Sequence, residues 1–378
     1  MSAAKKIKIL QAIRQGKVGG GETHVLDLVK ELDKDRFESV ILSFTEGPMV
    51  EKLKADGFKT YVVHTEKPFN FKIWKQVTEI VKAENIDLIH AHGTRANSNT
   101  FSSARAFKIP LLYTVHGWSF HPDQNPVVKL IRTLSERFLV QVADETICVS
   151  HSNLKEGKSK FPMPDSTVIV NGINQVKFNP DEVYKDIRAE FGVSEQEILV
   201  GYIARITAQK EPLTFLKAIA KIPAAAKVKF LIVGDGDLKD QMLDLAKELD
   251  LGPRVIFENF RDDIPAILNG IDIFCLPSLW EGLPIALLEA MAMRKAIIAT
   301  AIDGTKDLVR DMENGVLIPT SNPDQLADAI NLLIAHPKLR TELGLQAGIT
   351  IKENFDIGTM TRKVEATYDH AIADKKRG

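Results

Sequence analysis

Two glutamates with seven residues between them, Glu281 and Glu289, are the strongest candidates for binding chemistry in this chain of 378 residues. They lie in the stretch SLWEGLPIALLEAMAM, residues 278–293. Because proline is favoured at the first position of a helix, a helix is predicted to begin near Pro284. Glu281 would then precede the helix and Glu289 would lie in its second turn. The free N–H groups of residues 282–285 would face the same space as Glu281 and suit hydroxyls or anionic oxygens.

Glu289 stands in an almost wholly apolar helical sequence, so its carboxylate needs a polar partner to offset the cost of desolvation. The diol of a ribose is one possible partner. The alternative is a structural ion pair with a buried arginine, or hydrogen bonds from backbone donors. The residues alone leave both interpretations open.

Two cations follow the strand-like run ILVGYIA in the second half of the chain. Arg205 comes directly after the run, and Lys210 immediately precedes Glu211 and Pro212, which open a helix. Two cations beside a helix N-terminus can neutralise a diphosphate, because they add fixed charge to the helix dipole. The alternative is a pair of solvated loop side chains.

Glycines follow one strand-like run in each half closely enough to let a ligand approach the backbone. Gly19 and Gly20 belong to the loop GKVGGGE, residues 16–22, which leads into a helix. Gly234 and Gly236 follow the run KFLIV. Glycine permits close backbone approach, and a helix N-terminus favours phosphate, but ordinary turns explain these glycines as well.

His116 follows the strand-like run PLLYTV and precedes Gly117, a position suited to hydrogen-bonding a substrate. Most single histidines are structural, which is the alternative for this one. His90 and His92 alternate at another strand end, where a metal could bind. We find no third ligand at a suitable spacing, and therefore predict no metal site.

The segment KPFNFKIWK, residues 67–75, interleaves basic and aromatic side chains. Such a face can rest on an anionic membrane surface or bind a lipid-linked acceptor. The simpler interpretation is that Phe71 and Trp74 are core contacts of their helix. Peripheral membrane contact through this half of the chain stays open as a hypothesis.

The composition is that of a globular protein, with 44% hydrophobic and 26% charged residues. The 49 basic and 50 acidic residues give a net charge of −1, so no basic field argues for nucleic acid. The two cysteines, Cys148 and Cys275, lie in apolar runs and are predicted to be buried free thiols, as in a reducing compartment. We find no signal-peptide pattern and no apolar run of roughly 20 residues, and expect a cytoplasmic protein.

Strand-like runs alternate with helical patterns in both halves, which predicts an α/β class with two doubly wound parallel sheets. The runs are KIKILQAI, SVILSF, TYVVH, IDLIHAH, PLLYTVH, ETICVS and STVIVNGI, then ILVGYIAR, KVKFLIVG, RVIFEN, IDIFCLP, KAIIAT and GVLIP. The predicted domains are residues 1–175 and 176–356, with residues 357–378 as a C-terminal helical segment. Ligands of such sheets bind beyond the carboxyl ends of the strands, where the candidate residues lie.

Taken together and in this order, these residues resemble the retaining glycosyltransferases of family 4. The features that carry the resemblance are Gly19-Gly20, His116, Asn171-Gly172, Arg205 with Lys210, Gly234-Asp-Gly236, and Glu281 with Glu289. The resemblance spans nearly the whole chain and implies the GT-B fold, in which two Rossmann-like domains face a central cleft. It also implies that the C-terminal helix, residues 357–373, crosses back to the N-terminal, acceptor-side domain. The sequence departs from the family pattern at Ala204, Asn174 and Asp307, where glycine, aspartate and glutamate are usual.

The resemblance implies roles for the second half of the chain. Glu289 would hold the ribose hydroxyls of a nucleotide-sugar donor, and Arg205 and Lys210 would neutralise its diphosphate. Glu281 and the backbone of Gly282 and Leu283 would face the donor sugar.

In the first half, His116 would bond the sugar or the charge that develops at its anomeric carbon. Gly19 and Gly20 would allow the N-terminal domain to close over the phosphates. In the second half, Gly234 and Gly236 would belong to the donor-binding set. Fixed cations and helix N-termini would handle the leaving diphosphate, so neither a metal nor a cofactor is expected.

The expected function is transfer of a sugar from a nucleotide-sugar donor, with UDP as the commonest base, to a glycan or lipid-linked acceptor in polysaccharide or glycoconjugate biosynthesis. One alternative is a nucleotide-sugar epimerase of the same fold, and another is a non-catalytic partner that binds the nucleotide sugar within an assembly. The sequence does not identify the sugar, the acceptor or the oligomeric state. It places the protein in the cytoplasm and leaves open a peripheral position at the inner face of the membrane.

Overall fold

The structure, a computed structural model, describes residues 5–16, 19–121 and 124–377 and contains two compact units, each built on one parallel β-sheet. The first unit comprises Met1–Gly172 with Ile357–Gly378, and the second comprises Ile173–Asp356. The predicted α/β class with two doubly wound sheets is confirmed. Each of the predicted strand-like runs coincides with a strand.

The first unit has a seven-stranded sheet in the order β3-β2-β1-β4-β5-β6-β7. Its strands are β1 Ile7–Ile13, β2 Phe37–Ser43, β3 Lys59–Val62, β4 Leu88–His92, β5 Leu111–Val115, β6 Glu145–Cys148 and β7 Ser166–Val168. Its helices are α1 Gly20–Glu31, α2 Pro48–Ala55, α3 Phe71–Glu84, α4 Thr94–Phe107, α5 Pro126–Val142 and α6 His151–Lys158. The strand order reverses between β1 and β4, which is where sheets of this kind bind ligands.

The second unit has a six-stranded sheet in the order β10-β9-β8-β11-β12-β13. Its strands are β8 Ile198–Ile203, β9 Val228–Val233, β10 Val255–Glu258, β11 Ile273–Leu276, β12 Ala296–Thr300 and β13 Val316–Ile318. Its helices are α7 Ile187–Glu190, α8 Pro212–Lys221, α9 Lys239–Glu248, α10 Ile264–Gly270, α11 Ile285–Ala292, α12 Asp303–Lys306, α13 Pro323–Ala335 and α14 Pro337–Asn354. The sequence did not predict α14, which packs on α11 and β12.

The last helix, α15 Ile357–Arg377, is part of the first unit. Its buried side chains, among them Met360, Val364 and Tyr368, join a core with Ile9 of β1 and Leu28 of α1. The opposite face of the same sheet is covered by α3 and α4. Both faces are therefore apolar, as expected for a parallel sheet that lies between helices.

Two sequence predictions about single side chains have different outcomes. Cys148 and Cys275 are buried free thiols, as predicted, and burial raises the pKa of the Cys148 thiol to about 12. Trp74 packs against the core of the first unit, but Phe71 is 69% exposed, so its predicted core contact was wrong. In residues 5–16, 19–121 and 124–377, no helix combines the length and the apolar content that a bilayer crossing needs.

Replacing Met360 tests how far α15 contributes to the first unit. Met360→Ala removes a side chain that is 3% exposed and accepts a hydrogen bond from Gly172 N, so we expect it to lower the free energy of unfolding by about 2–5 kcal/mol. The control Lys363→Ala, on the exposed side of the same helix, should stay within about 0.5 kcal/mol. Urea unfolding measures both, and equal midpoints would show that α15 adds nothing to this core.

Candidate functional site

In the second unit, Lys210 and Glu281 form an ion pair although they are 71 residues apart in the chain. Lys210 ends a short 3₁₀ turn, Ala208–Lys210, in the loop after β8. Gln209 fastens this turn to the loop before α11, because its side-chain nitrogen donates to Trp280 O at 2.8 Å and its carbonyl accepts from Leu279 N at 2.8 Å. The ends of β8 and β11 are therefore joined where the sequence predicted binding residues.

The Lys210–Glu281 pair is mostly withdrawn from solvent, with 15% of the lysine side chain and 7% of the glutamate side chain exposed. Partners withdrawn from water depend on each other, since removing one leaves the other charge uncompensated. An anionic ligand that binds Lys210 must therefore share the ammonium group with Glu281. If a diphosphate contacts Lys210, the position of the ammonium group, and with it that contact, depends on the Glu281 carboxylate.

Helix α11 begins at Ile285, with Pro284 as its N-cap residue, one residue later than the sequence predicted. Glu289 lies in the second turn, as expected. Its side chain is partly accessible, so the carboxylate is less desolvated than the apolar helical sequence predicts. Leu283 is buried, and Arg205, Gly282 and Glu289 are each partly accessible.

Gly234 and Gly236 are required by the packing of the second unit itself. A Cβ atom on Gly234 would lie 1.9 Å from Ala204 O, and one on Gly236 would lie 2.2 Å from Ile206 O. Gly234 also has φ +156°, which side chains rarely adopt. These contacts explain both glycines without a ligand, and their role in donor binding stays a prediction.

Gly304 in α12 is a positioning residue that the sequence analysis missed. A Cβ atom there would lie 2.4 Å from Gly282 O and 2.5 Å from Glu281 O. Helix α12 therefore lies directly against the backbone that carries the Glu281 carboxylate. The local sequence of α12, DGTK, does not predict this contact. The contact arises because β11 and β12 are neighbouring parallel strands.

Gly304→Ala should displace the backbone at Glu281 and destabilise the second unit by about 1–3 kcal/mol. The physical reason is that the new methyl group meets two carbonyl oxygens and no flexible side-chain end. Gly117→Ala is the control, because a Cβ atom at Gly117 meets nothing within 4 Å. Thermal unfolding of the two variants makes the comparison, and an unchanged midpoint for Gly304→Ala would contradict the proposed crowding.

In the first unit, His116 follows β5 and its ring lies over Gly21 of α1. A Cβ atom on Gly21 would approach the ring to 3.3 Å, so glycine makes room for the imidazole. Gly19 is the N-cap residue of α1 and Gly20 its first residue, so the predicted glycine loop is partly helix. Lys17 and Val18 of that loop lie outside the described residues.

A buried chain of hydrogen bonds connects His116 to the C-terminal helix α15. His116 Nε2 lies 3.2 Å from His92 Nδ1, and His92 Nε2 lies 3.0 Å from Gln11 Oε1. Gln11 Nε2 donates to Tyr368 OH at 3.0 Å. Tyr368, a residue of α15, is thus linked to His92 by two hydrogen bonds through Gln11. Tyr368 OH also lies 2.7 Å from His90 Nδ1.

This chain determines which nitrogen of His116 carries a proton. Gln11 Oε1 can only accept, so His92 is protonated on Nε2 and accepts at Nδ1. His116 Nε2 must then donate to His92 Nδ1. In neutral His116 the remaining nitrogen, Nδ1, is left as a hydrogen-bond acceptor.

His116 stays neutral because its surroundings disfavour a positive charge. Burial first, and then the nearby His24 and Arg14, lower its pKa well below the ordinary value. Burial also lowers the pKa of His24 to about 4 and that of His90 to about 3. His116 is therefore a neutral imidazole at physiological pH.

His24, His92 and His116 converge, with one nitrogen of each within 4.8 Å of the others. The sequence predicts no metal site, because it shows no third ligand at a suitable spacing from His90 and His92. That premise was wrong, since α1 and the end of β5 supply two more histidines. His90 itself is turned to Tyr368 and Thr114 and does not join the group.

The buried histidines should make the protein acid-sensitive well above the pH of general acid unfolding. Their folded-state pKa values lie below the unfolded value of 6.5, so the unfolded chain takes up protons first. The stabilisation is complete above about pH 6.5 and is lost towards pH 4, at about 1.4 kcal/mol per pH unit for each histidine. Urea unfolding at pH 7.5, 6.5 and 5.5 measures this slope.

His90→Asn should reduce the pH dependence of the free energy of unfolding by the contribution of one histidine, about 1.4 kcal/mol per pH unit. This reduction is expected whatever the effect of the substitution on stability at pH 7.5. His64→Asn, which replaces an exposed histidine, is the matched control variant. A wild-type stability that is flat between pH 7 and pH 5 would contradict the assigned neutral state.

The candidate residues are divided between the two units. Gly19, Gly20 and His116 belong to the first unit, and the candidates from Arg205 to Glu289 belong to the second. Within the second unit the structure brings together Lys210 and Glu281, and it sets Gly234 and Gly236 against the loop that contains Arg205.

Two family models match the chain, one in each unit. The model described as Glycosyltransferase Family 4 matches residues 18–176, and the model described as glycosyl transferases group 1 matches residues 183–348. Together they cover most of the two Rossmann-like units.

Similarity to known proteins extends over nearly the whole chain. The UDP-Gal:alpha-D-GlcNAc-diphosphoundecaprenol alpha-1,3-galactosyltransferase of Escherichia coli is 27% identical over 99% of this chain and 100% of its own length. The N-acetyl-alpha-D-glucosaminyl L-malate synthase of Bacillus anthracis is 26% identical over 84% of each chain. The crystal structure of Anabaena Alr3699/HepE in complex with UDP and glucose matches with a TM-score of 0.84 and 23% identity, over 96% of this chain and 99% of that one.

Proposed function

The chain belongs to the glycosyltransferases of family 4, which have the GT-B fold, and on this premise we propose that it transfers a hexose from a UDP-sugar to a lipid-linked diphosphate sugar. The observation that carries the proposal is the full-length similarity to the Escherichia coli galactosyltransferase, whose named acceptor is a diphosphoundecaprenol-linked sugar. Transfer with retention of the anomeric configuration is part of the proposal. The activity would serve polysaccharide or glycoconjugate biosynthesis at the cytoplasmic face of the membrane.

The second unit is proposed to bind the donor. Arg205 and Lys210 would neutralise the diphosphate, and Glu289 would accept hydrogen bonds from the ribose hydroxyls. The partly accessible positions of these side chains in the loop after β8 and in α11 support these roles. UDP is chosen because the Anabaena structure contains UDP and the Escherichia coli relative is named for UDP-galactose.

Glu281 is proposed to orient the sugar while its partner Lys210 contacts the leaving diphosphate. Negative charge grows on the diphosphate oxygens as the bond to the sugar breaks, and a fixed ammonium group stabilises that charge in the transition state. The ion pair keeps the ammonium group in position before the donor arrives. We propose that this cation replaces a divalent metal, so EDTA should not inhibit transfer.

His116 is proposed to accept a hydrogen bond from a hydroxyl of the transferred sugar at Nδ1. The chain through His92, Gln11 and Tyr368 leaves this nitrogen as an acceptor, and the lowered pKa of His116 keeps the ring neutral. A neutral acceptor orients a hydroxyl but adds no positive charge. We therefore assign His116 to positioning of the sugar and not to the charge at its anomeric carbon.

A small soluble acceptor is a second candidate, because the Bacillus anthracis relative is named for a sugar transfer to L-malate. The acceptor class follows from assays with both kinds of acceptor. The Escherichia coli relative is named a transferase and the Bacillus anthracis relative a synthase. Neither name supports the epimerase alternative. The ion pair and cations described above argue against a partner without turnover.

Lys210→Met and Glu289→Gln should each lower kcat/KM for sugar transfer by about 100-fold or more, since each removes a contact to the donor. Lys217→Met is the matched control, because Lys217 is an exposed lysine in α8 and should leave kcat/KM unchanged. Release of UDP in the presence of acceptor measures the rate.

Loss of the Lys210 charge also leaves Glu281 uncompensated, which could lower stability by itself. The double variant Lys210→Met/Glu281→Gln removes both charges and separates the two effects. It should unfold closer to wild type than Lys210→Met while remaining inactive. Near-wild-type transfer by Lys210→Met or Glu289→Gln would refute the donor-binding roles.

A further inference from the structure

Helix α5 presents an apolar face to solvent. Its side chains Val127, Leu130, Ile131 and Leu134 are between 54% and 65% exposed, and Val128 and Phe138 are 41% and 39% exposed. Single apolar residues are common on protein surfaces, whereas a continuous row along about three turns of one helix marks an interaction site. We call these six residues the α5 face.

The exposure does not come from a loosely attached helix. On the inner side of α5, the Glu136 carboxylate accepts hydrogen bonds from Tyr113 OH at 2.8 Å and Thr94 Oγ1 at 2.7 Å. Leu139 is fully buried, and its carbonyl accepts from Asn97 Nδ2 at 3.2 Å. The inner side holds α5 against the sheet of the first unit and leaves the α5 face outward.

A series of aromatic ring contacts connects Phe138 of the α5 face to the start of α3. Phe138 lies 5.3 Å from Phe101, Phe101 lies 5.1 Å from Trp74, and Trp74 lies 4.6 Å from Phe71, measured between ring centroids. Phe71 stands at the exposed end of this row. Phe101 is only 9% exposed, so the segment of residues 67–75 and the α5 face are neighbouring patches that are joined through a buried ring.

The solvent-accessible charges on α5 and in the first turns of α3 have one sign. On α5, residues 126–142, every solvent-accessible charged side chain is basic, namely Lys129, Arg132 and Arg137, while the only acidic residue, Glu136, is buried. The first turns of α3 add Lys72 and Lys75, both exposed. Apolar side chains flanked by lysine and arginine are the pattern of a helix that lies in the interface of an anionic bilayer.

We propose that the α5 face, together with Phe71 and the flanking lysines and arginines, docks the protein on the surface of an anionic lipid bilayer. The apolar side chains enter the boundary between headgroups and acyl chains, and the cations contact lipid phosphates. A second copy of the chain fits less well, because a two-fold contact through α5 would bring the cations of one copy towards those of the other. The inference rests on the proposed function in one respect, since a lipid-linked acceptor is presented at such a surface.

Sedimentation with vesicles tests the proposal on the full chain. The wild type should bind vesicles of phosphatidylcholine with 30% phosphatidylglycerol at least about 10-fold more tightly than vesicles of phosphatidylcholine alone, and high salt should weaken the binding. The triple variant Leu130→Gln/Ile131→Gln/Leu134→Gln removes the centre of the face and should lose at least about 10-fold in binding to the anionic vesicles. Lys129→Gln/Arg137→Gln should lose the preference for anionic lipid while keeping the apolar contact.

Leu345→Gln/Ile349→Gln is the matched control, because these residues of α14 in the second unit are exposed to 47% and 46%. It should bind anionic vesicles as the wild type does, and thermal unfolding checks that every variant is folded. Absence of wild-type binding, or equal binding by the triple variant, would overturn the proposal. A dimer that the triple variant abolishes, without any vesicle binding, would assign the face to a second copy.

Transfer assays keep this inference separate from the proposed function. The triple variant should retain wild-type transfer to an acceptor with a short, water-soluble lipid, and should lose transfer to the same diphosphate sugar anchored in vesicles. Vesicle binding without transfer to either acceptor would refute the proposed function alone. Transfer by the wild type without vesicle binding would refute the docking surface alone.

Discussion

The parallel sheet imposes the constraint on which both units depend. Its strands are covered by helices on both faces, so polar groups inside it must find partners within the strands or lie at their carboxyl ends. The second unit takes the simpler solution, with apolar strands and with Lys210 and Glu281 in the loops that follow β8 and β11. The first unit departs from it, because β1, β4 and β5 contain Gln11, His90, His92 and Thr114 in fully or nearly fully buried positions. Those four side chains satisfy one another and Tyr368 by hydrogen bonds.

The two units therefore prepare their polar groups by different physical means. In the second, opposite charges hold each other in place, and the Gln209 hydrogen bonds fasten the loop that bears the cation. In the first, burial removes the charge, and a directional chain of neutral donors and acceptors decides what His116 offers. A glycosyltransferase needs both kinds of group, since the diphosphate calls for fixed charge and a sugar hydroxyl calls for a directed acceptor. Glycines at 21, 234 and 304 allow the close approach that each arrangement requires.

Local sequence patterns were sufficient for the sheets. Every strand was predicted because parallel strands read as short apolar runs, and helices such as α8 and α13 were marked by a proline in the first turn. Helix α14 was missed because its apolar residues follow no clear period, and two of its buried positions are the small residues Gly344 and Ala347. The pairing of Lys210 with Glu281, the contact of Gly304 with the Glu281 backbone, and the convergence of three histidines all join residues far apart in sequence. Nothing in the local sequence encodes such contacts, which appear only when the strand order is known.

The place of Tyr368 has a consequence for how the protein is made. Its hydroxyl completes the hydrogen bonds of Gln11 and His90, yet it stands in the final helix, after the whole second unit. As the nascent chain leaves the ribosome from its N-terminus, the first sheet can assemble early, but Gln11 Nε2 and His90 Nδ1 lack this partner until α15 has been synthesised. The unit that is synthesised first is thus completed only after the second, and a chain truncated within the second unit lacks the helix that closes the core of the first.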